Sequence, residues 1–156
     1  MEKIAVFPGS FDPFTIGHES IVTRSLELFD KIVIAVGNNE NKKCFFPLQA
    51  RMAMIREVFA GNPKIEVSFY DDLTVAFCKR VNAKYILRGL RTSADFEYER
   101  AIAQVNKMMY NEVESVFILT LPEHTSINSS IVREVLKHGG DVSRFLPHSV
   151  DLKKYL

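Results

Sequence analysis

The chain reads as an α/β protein, with one doubly wound (Rossmann-like) sheet of five parallel strands and helices on both faces. Short apolar runs recur at wide intervals along it. The first two runs and the last are almost unbroken, as strands covered on both faces must be. Residues at helical spacing lie between the runs, and a strand–helix alternation of this kind imposes right-handed crossovers.

The first strand is Ile4-Ala5-Val6-Phe7, which runs into the turn chemistry of Pro8-Gly9-Ser10. Val22, Leu26 and Phe29 then fall at i, i+4 and i+7, the spacing of one helix face. Ile32-Val33-Ile34-Ala35-Val36 forms the second strand, and the polar stretch from Gly37 to Lys43 forms a loop over one edge of the sheet. The third and fourth strands are Ile65-Glu66-Val67-Ser68-Phe69 and Tyr85-Ile86-Leu87. Tyr98, Ile102, Val105 and Met109 mark a long helix whose apolar residues suit either a subunit contact or the chain's own core. Val116-Phe117-Ile118-Leu119 is the last strand, followed by a helix from Ile131 to Lys137. From Asp141, through Phe145-Leu146-Pro147, the chain closes in a helical or irregular cap.

The chain has 156 residues, 47% hydrophobic and 25% charged, which favours one soluble domain over 1–156. A net charge of +1 argues against a nucleic-acid coat or a membrane-surface patch, so any basic site must be local. Cys44 and Cys78 form no CxxC pair and no metal-ligand spacing, which favours reduced thiols. The apolar run before Pro8 is too short for a leader or a membrane span, and the expected location is the cytoplasm.

In a doubly wound sheet, ligands bind outside the carboxyl ends of the strands, at the switch in strand order. The loop after the first strand carries no GxGxxG, and no GxxxxGK[ST] occurs anywhere. It reads Pro8-Gly9-Ser10-Phe11-Asp12-Pro13-Phe14-Thr15-Ile16-Gly17-His18. Gly9 permits close approach of backbone to a ligand, and His18 falls in the first turn of a helix, where free N–H groups favour an anion. After the fourth strand, Arg88-Gly89-Leu90-Arg91 presents two guanidinium groups suited to oxyanions, or to ion pairs with Asp95, Glu97 and Glu99. After the last strand, Thr125-Ser126-Ile127-Asn128-Ser129-Ser130 enters a helix, and its polar side chains suit both capping and phosphate binding. Lys42, with Lys43 beside it, adds a cation after the second strand. Four loops at one sheet edge thus offer groups for phosphate.

Gly9-Ser10-Phe11-Asp12-Pro13 with Thr15-Ile16-Gly17-His18 resembles the nucleotidylyltransferase signature that ends in [HT]xGH. Arg88-Gly89-Leu90-Arg91 followed by Asp95-Phe96-Glu97-Tyr98-Glu99, and the stretch Ile127 to Ser130, resemble the bacterial phosphopantetheine adenylyltransferase family over essentially the whole chain. The resemblance implies transfer of adenylyl from ATP to 4′-phosphopantetheine, giving dephospho-coenzyme A and pyrophosphate. By position it implies that His18 meets the α-phosphate and that Ser10 touches both reacting phosphates. Lys42 and Arg88 would hold the acceptor phosphate, with Thr74 lining the acceptor site where relatives often carry a larger apolar residue. Phe11, Gly89, Leu90, Arg91, Glu99, His124, Thr125, Ser126, Ile127, Asn128, Ser129 and Ser130 would surround ATP. The family usually has Ile-Ser-Ser-Ser where this chain has Ile127-Asn128-Ser129-Ser130, and His124 stands at a position that varies. Magnesium arriving with ATP, a hexamer, and coenzyme A as a feedback ligand are also implied.

Attack by an anionic phosphate oxygen on the α-phosphorus needs no general base and no covalent intermediate. It needs charge neutralisation and alignment, here assigned to His18, Lys42 and Arg91 as positive or donor groups. No cluster of acidic residues in these loops suggests a dedicated metal site, with Asp12 the acid nearest to one. Two other readings compete: a nicotinate mononucleotide adenylyltransferase on the same scaffold, and a non-catalytic nucleotide or coenzyme A sensor.

Overall fold

The computed structural model describes residues 1–156. The strands are β1 (Ile4–Gly9), β2 (Lys31–Gly37), β3 (Ile65–Tyr70), β4 (Tyr85–Leu90) and β5 (Glu114–Leu119). The helices are α1 (Ile16–Ser25), α2 (Leu48–Val58), α3 (Thr74–Arg80), α4 (Ser93–Met109) and α5 (Ser129–Lys137), with short 3-10 turns at Pro122–His124, Ser143–Phe145 and Leu152–Tyr155. All strand pairs are parallel, and the order across the sheet is β3-β2-β1-β4-β5. The order reverses between β1 and β4, so the crevice for a ligand lies beyond their carboxyl ends.

Alternation along the strands divides the core into two layers. Ala5, Phe7, Ile32, Ile34 and Leu87 pack with Ile21 and Val22 of α1 and Met52 and Ile55 of α2. Val6, Val33, Ala35 and Ile86 pack on the other face against Val75, Phe77 and Cys78 of α3. Burial pushes the Cys78 thiol up to about 11, so it is an inert core residue. A third cluster, Val132, Val142 and Leu146, seals α5 against the C-terminal cap.

The structure moves several expected boundaries. α1 stops at Ser25, and Phe29 lies beyond the turn that follows it, its ring buried 5.4 Å from that of Tyr85. Pro8 and Gly9 belong to β1, and Arg88, Gly89 and Leu90 belong to β4 rather than to the loops that follow. The ladders simply continue, pairing Pro8 with Ala35 and Arg88 with Phe117. The apolar residues of α4 do not join the chain's own core: Tyr98 is 70% exposed and Met108 85%. α2 and α3 fill crossovers that the periodicity did not resolve singly.

Candidate active site

β1 delivers a loop whose shape is set by three phenylalanines. Phe11 takes a positive φ of 49°, an uncommon conformation for a bulky residue, and its ring is buried near Phe7 and Phe14. A Cβ on Gly9 would stand 2.8 Å from that ring. Gly9 is therefore required by Phe11 and not, as its sequence context suggested, by the approach of a ligand alone.

His18 sits at the third position of α1 behind a capping box. Thr15 Oγ1 accepts from the His18 backbone N–H at 3.3 Å, and the Thr15 backbone N–H donates to His18 Nδ1 at 2.9 Å. An Nδ1 that accepts from an amide carries no proton, so the neutral ring holds its hydrogen on Nε2. Phe11 meets the imidazole edge-on at 5.0 Å and Phe14 packs at 5.2 Å. Burial first, then the Arg88 and Arg91 charges, hold its pKa at about 3. His18 is thus held as a neutral donor through Nε2.

Lys42 reaches back from the loop after β2, and its Nζ donates to Ser10 Oγ at 2.8 Å. Two residues that the motif did not single out as site residues hold these loops. Arg51 of α2, 3% exposed, donates to the carbonyls of Ser10 at 2.8 Å, Gly37 at 3.1 Å and Phe46 at 3.0 Å. Asp12, 2% exposed, accepts from the backbone N–H groups of Phe45 and Phe46, both at 2.8 Å. The Asp12 carboxylate is thereby committed to the backbone, and no three His, Cys, Asp or Glu side chains stand together as metal ligands. Arg51 was hidden in the sequence because an arginine on an amphipathic helix ordinarily faces water.

β4 places Arg88 beneath the crevice, where it donates to both Glu99 carboxylate oxygens and to the Pro8 carbonyl. Arg91 follows the strand and pairs with Asp95 at 3.2 Å. Both arginines therefore have carboxylate partners and still line the crevice. At α5, Asn128 is the N-cap, its Oδ1 accepting from the Ile131 N–H at 2.9 Å. Ser129 Oγ donates to the Pro13 carbonyl at 2.8 Å. Arg133 donates to the Asp12 carbonyl at 2.8 Å and to Ser130 Oγ at 3.1 Å, tying α5 to the β1 loop.

Two adjoining cavities result. The first, about 330 Å³, is lined by Ser10, Phe11, His18, Lys42, Arg88, Gly89, Arg91, Glu99, Ile127, Asn128, Ser129 and Ser130. The second, about 270 Å³, runs between the sheet and α4 past Tyr70, Thr74, Tyr98, Ile102, Asn106 and Phe117. Pro8, Gly9, Ser10, Arg88 and Glu99 line both. Leu90, His124, Thr125 and Ser126 line neither: Leu90 is buried, and the other three lie in and just after the Pro122–His124 turn. His124 keeps a buried Nδ1 without a hydrogen-bond partner.

Residues 6–135 match the cytidylyltransferase-like family. A phosphopantetheine adenylyltransferase of Cytophaga hutchinsonii is 47% identical over 150 residues, covering 96% of this chain and all of that relative. One of Phocaeicola vulgatus is 49% identical over 148 residues, covering 95% of this chain and 97% of the relative. Among solved structures, a bifunctional NMN adenylyltransferase/ADP ribose pyrophosphatase from Francisella tularensis shares the fold, with a TM-score of 0.72 at 19% identity. That match covers 98% of this chain and 47% of the Francisella one. With this fold, this crevice and relatives so similar over nearly their whole length, the chain belongs to the phosphopantetheine adenylyltransferase family.

Proposed function

We propose that this crevice transfers the adenylyl group of ATP to the phosphate of 4′-phosphopantetheine, releasing pyrophosphate and forming dephospho-coenzyme A. The observation that carries the reading is the shared wall of the two cavities. Ser10 and Arg88 lie on it, and Lys42 is hydrogen-bonded to Ser10. Two phosphates that repel one another need cationic and donor groups where they meet.

In this reading the larger cavity takes ATP and the one along α4 takes the pantetheine arm. An acceptor phosphate oxygen forms a bond to the α-phosphorus as the bond to the β-phosphate bridging oxygen breaks, and pyrophosphate leaves with that electron pair. His18 Nε2–H donates to the oxygens of the α-phosphoryl group as charge builds on them. Lys42 and Ser10 hold the two phosphates in line, and Arg88 anchors the acceptor. Arg91 and the N-terminus of α5 face the pyrophosphate side.

Magnesium enters the proposal as the counter-ion of ATP, held by the nucleotide's own phosphates, since Asp12 is committed to backbone N–H groups. Coenzyme A carries both halves of the product and would compete for the same two cavities. The exposed apolar residues of α4 support a homo-oligomer, for which the family resemblance implies a hexamer. No helix is long and apolar enough to cross a membrane, and the cytoplasm is the proposed location. Incubation with ATP, magnesium and an acceptor tests the reading. Pyrophosphate should appear with 4′-phosphopantetheine and not with nicotinate mononucleotide. The opposite preference would reassign the acceptor, and release with neither would leave a nucleotide sensor.

A further inference from the structure

Two contacts close a ring of chain beside the wall that the cavities share. Lys42 Nζ donates to Ser10 Oγ at 2.8 Å, and the backbone N–H groups of Phe45 and Phe46 donate to Asp12 Oδ2 and Oδ1, both at 2.8 Å. Ser10 and Asp12 stand two residues apart on one loop, and Lys42 and Phe45 three apart on the other. The two contacts differ in kind. Lys42 is exposed, so water competes for its bond to Ser10. Asp12 is 2% exposed, and each of its oxygens takes one amide proton away from water. Arg51 supports the same end of the ring by donating to the Phe46 carbonyl at 3.0 Å, and the Phe46 ring is buried. The N–H of Phe45, the anchored group that follows Lys42 most closely, has Asp12 as its partner.

Resting on the adenylyl-transfer reading, we propose that Asp12 is a positioning residue for the acceptor phosphate, acting on Lys42 through the backbone of Phe45 and Phe46. When a phosphate enters, Lys42 Nζ turns towards it from Ser10, and the exposed side of the ring opens. The buried side stays closed. Three residues of chain span at most about 11 Å, so an anchored Phe45 keeps the Lys42 backbone at the crevice. The role requires a carboxylate, because two N–H donors need two acceptor oxygens and an asparagine would set its NH2 against one of them. α5 is tied to a different part of the same residue: Arg133 donates to the Asp12 main-chain carbonyl at 2.8 Å, while its Nη1 stands 3.9 Å from the carboxylate. The side chain of Asp12 thus serves the Lys42 loop and its backbone serves α5, which separates the acceptor side from the nucleotide side.

The experiment compares the wild-type enzyme with Asp12→Asn, Lys42→Ala and the Asp12→Asn/Lys42→Ala double variant. It reads kcat and KM for 4′-phosphopantetheine, the Kd of ATP by calorimetry, and the magnesium concentration that gives half the maximal rate. Asp12→Asn should lower kcat/KM for the acceptor about tenfold, the scale of one charge-assisted contact, and leave the ATP Kd and the magnesium requirement within about twofold. The double variant should be no worse than Lys42→Ala alone, as for residues acting as a unit. Additive losses, or a loss read in the ATP Kd, would place the effect in the fold or in α5 and overturn the proposal. A raised magnesium requirement would make Asp12 a metal ligand and overturn it as well. If Asp12→Asn fails to fold by circular dichroism, Asp12→Glu, which keeps the charge but moves its oxygens, carries the same kinetic comparison. Hydrogen exchange in the wild-type protein then tests the anchor itself: the Phe45 and Phe46 amides should exchange more slowly than that of exposed Lys43, and equal rates overturn the proposal. Failure of wild-type protein to adenylylate 4′-phosphopantetheine would instead refute the underlying reading, before any variant is made.

Discussion

The backbone N–H of Thr15 donates to Nδ1 of His18, and that one bond decides the tautomer of the imidazole. With Nδ1 serving as acceptor, the proton sits on Nε2, and burial keeps the ring from taking a second one. The site therefore holds a fixed neutral donor near two arginines, with no further positive charge placed beside them.

That arrangement makes stability depend on pH in a definite direction. The folded pKa of His18, about 3, lies below its ordinary value of 6.5, so the unfolded chain binds a proton more readily. The contribution is complete above about pH 6.5 and is lost progressively as the pH falls towards 3. Urea midpoints measured at pH 7.5 and pH 5 should differ more in the wild-type protein than in His18→Asn, which cannot be protonated. Equal shifts would mean that His18 is not held neutral.

Asn128 caps α5 with its own side chain. Asn128→Ala should cost about 1 kcal/mol of stability by loss of the cap, whereas Asn128→Ser should stay within about 0.5 kcal/mol, since both residues cap well. Chemical denaturation of the two variants beside the wild type measures this.

Arg51 satisfies three carbonyls from three separate segments, those of Ser10, Gly37 and Phe46. Arg51→Met keeps much of the bulk but leaves buried acceptors unpaired, at about 1–3 kcal/mol each where water cannot replace the donor. The expected result is a loss of about 3 kcal/mol together with reduced turnover, because the Ser10 and Lys42 loops share this anchor. Denaturation and steady-state kinetics on the same preparation check both halves.

The outward apolar residues of α4 make a prediction about assembly. Val105→Glu and Met108→Glu introduce charge at positions 52% and 85% exposed in the single chain, so neither should unfold it. If α4 forms a subunit contact, each should reduce the mass seen in sedimentation or light scattering. An unchanged mass would place the contact elsewhere.

The parallel sheet was legible because Ile32 to Val36 and Val116 to Leu119 are apolar without alternation. The crevice was legible because glycines, hydroxyls and cations cluster after the strands. A polar cap before the last helix was legible in Thr125 to Ser130, although α5 starts at Ser129, two residues before the expected Ile131. The partners of the charges were not. Sequence spacing allowed Arg88 either phosphate or an ion pair, and only the fold shows that Glu99 takes one edge of the guanidinium and leaves two N–H groups over. Gly9 was read as space for a ligand, because nothing local reveals that the Phe11 ring folds back over it. Arg51 escaped notice because its acceptors are backbone carbonyls, which carry no residue identity.

The most direct test of the account is the turnover of His18→Ala with both substrates bound. The variant should fold, bind ATP and 4′-phosphopantetheine with affinities near those of the wild type, and lose at least about a hundredfold in kcat, the scale for removing one preorganised donor. Turnover close to wild type with both substrates still bound would contradict the role assigned to the imidazole.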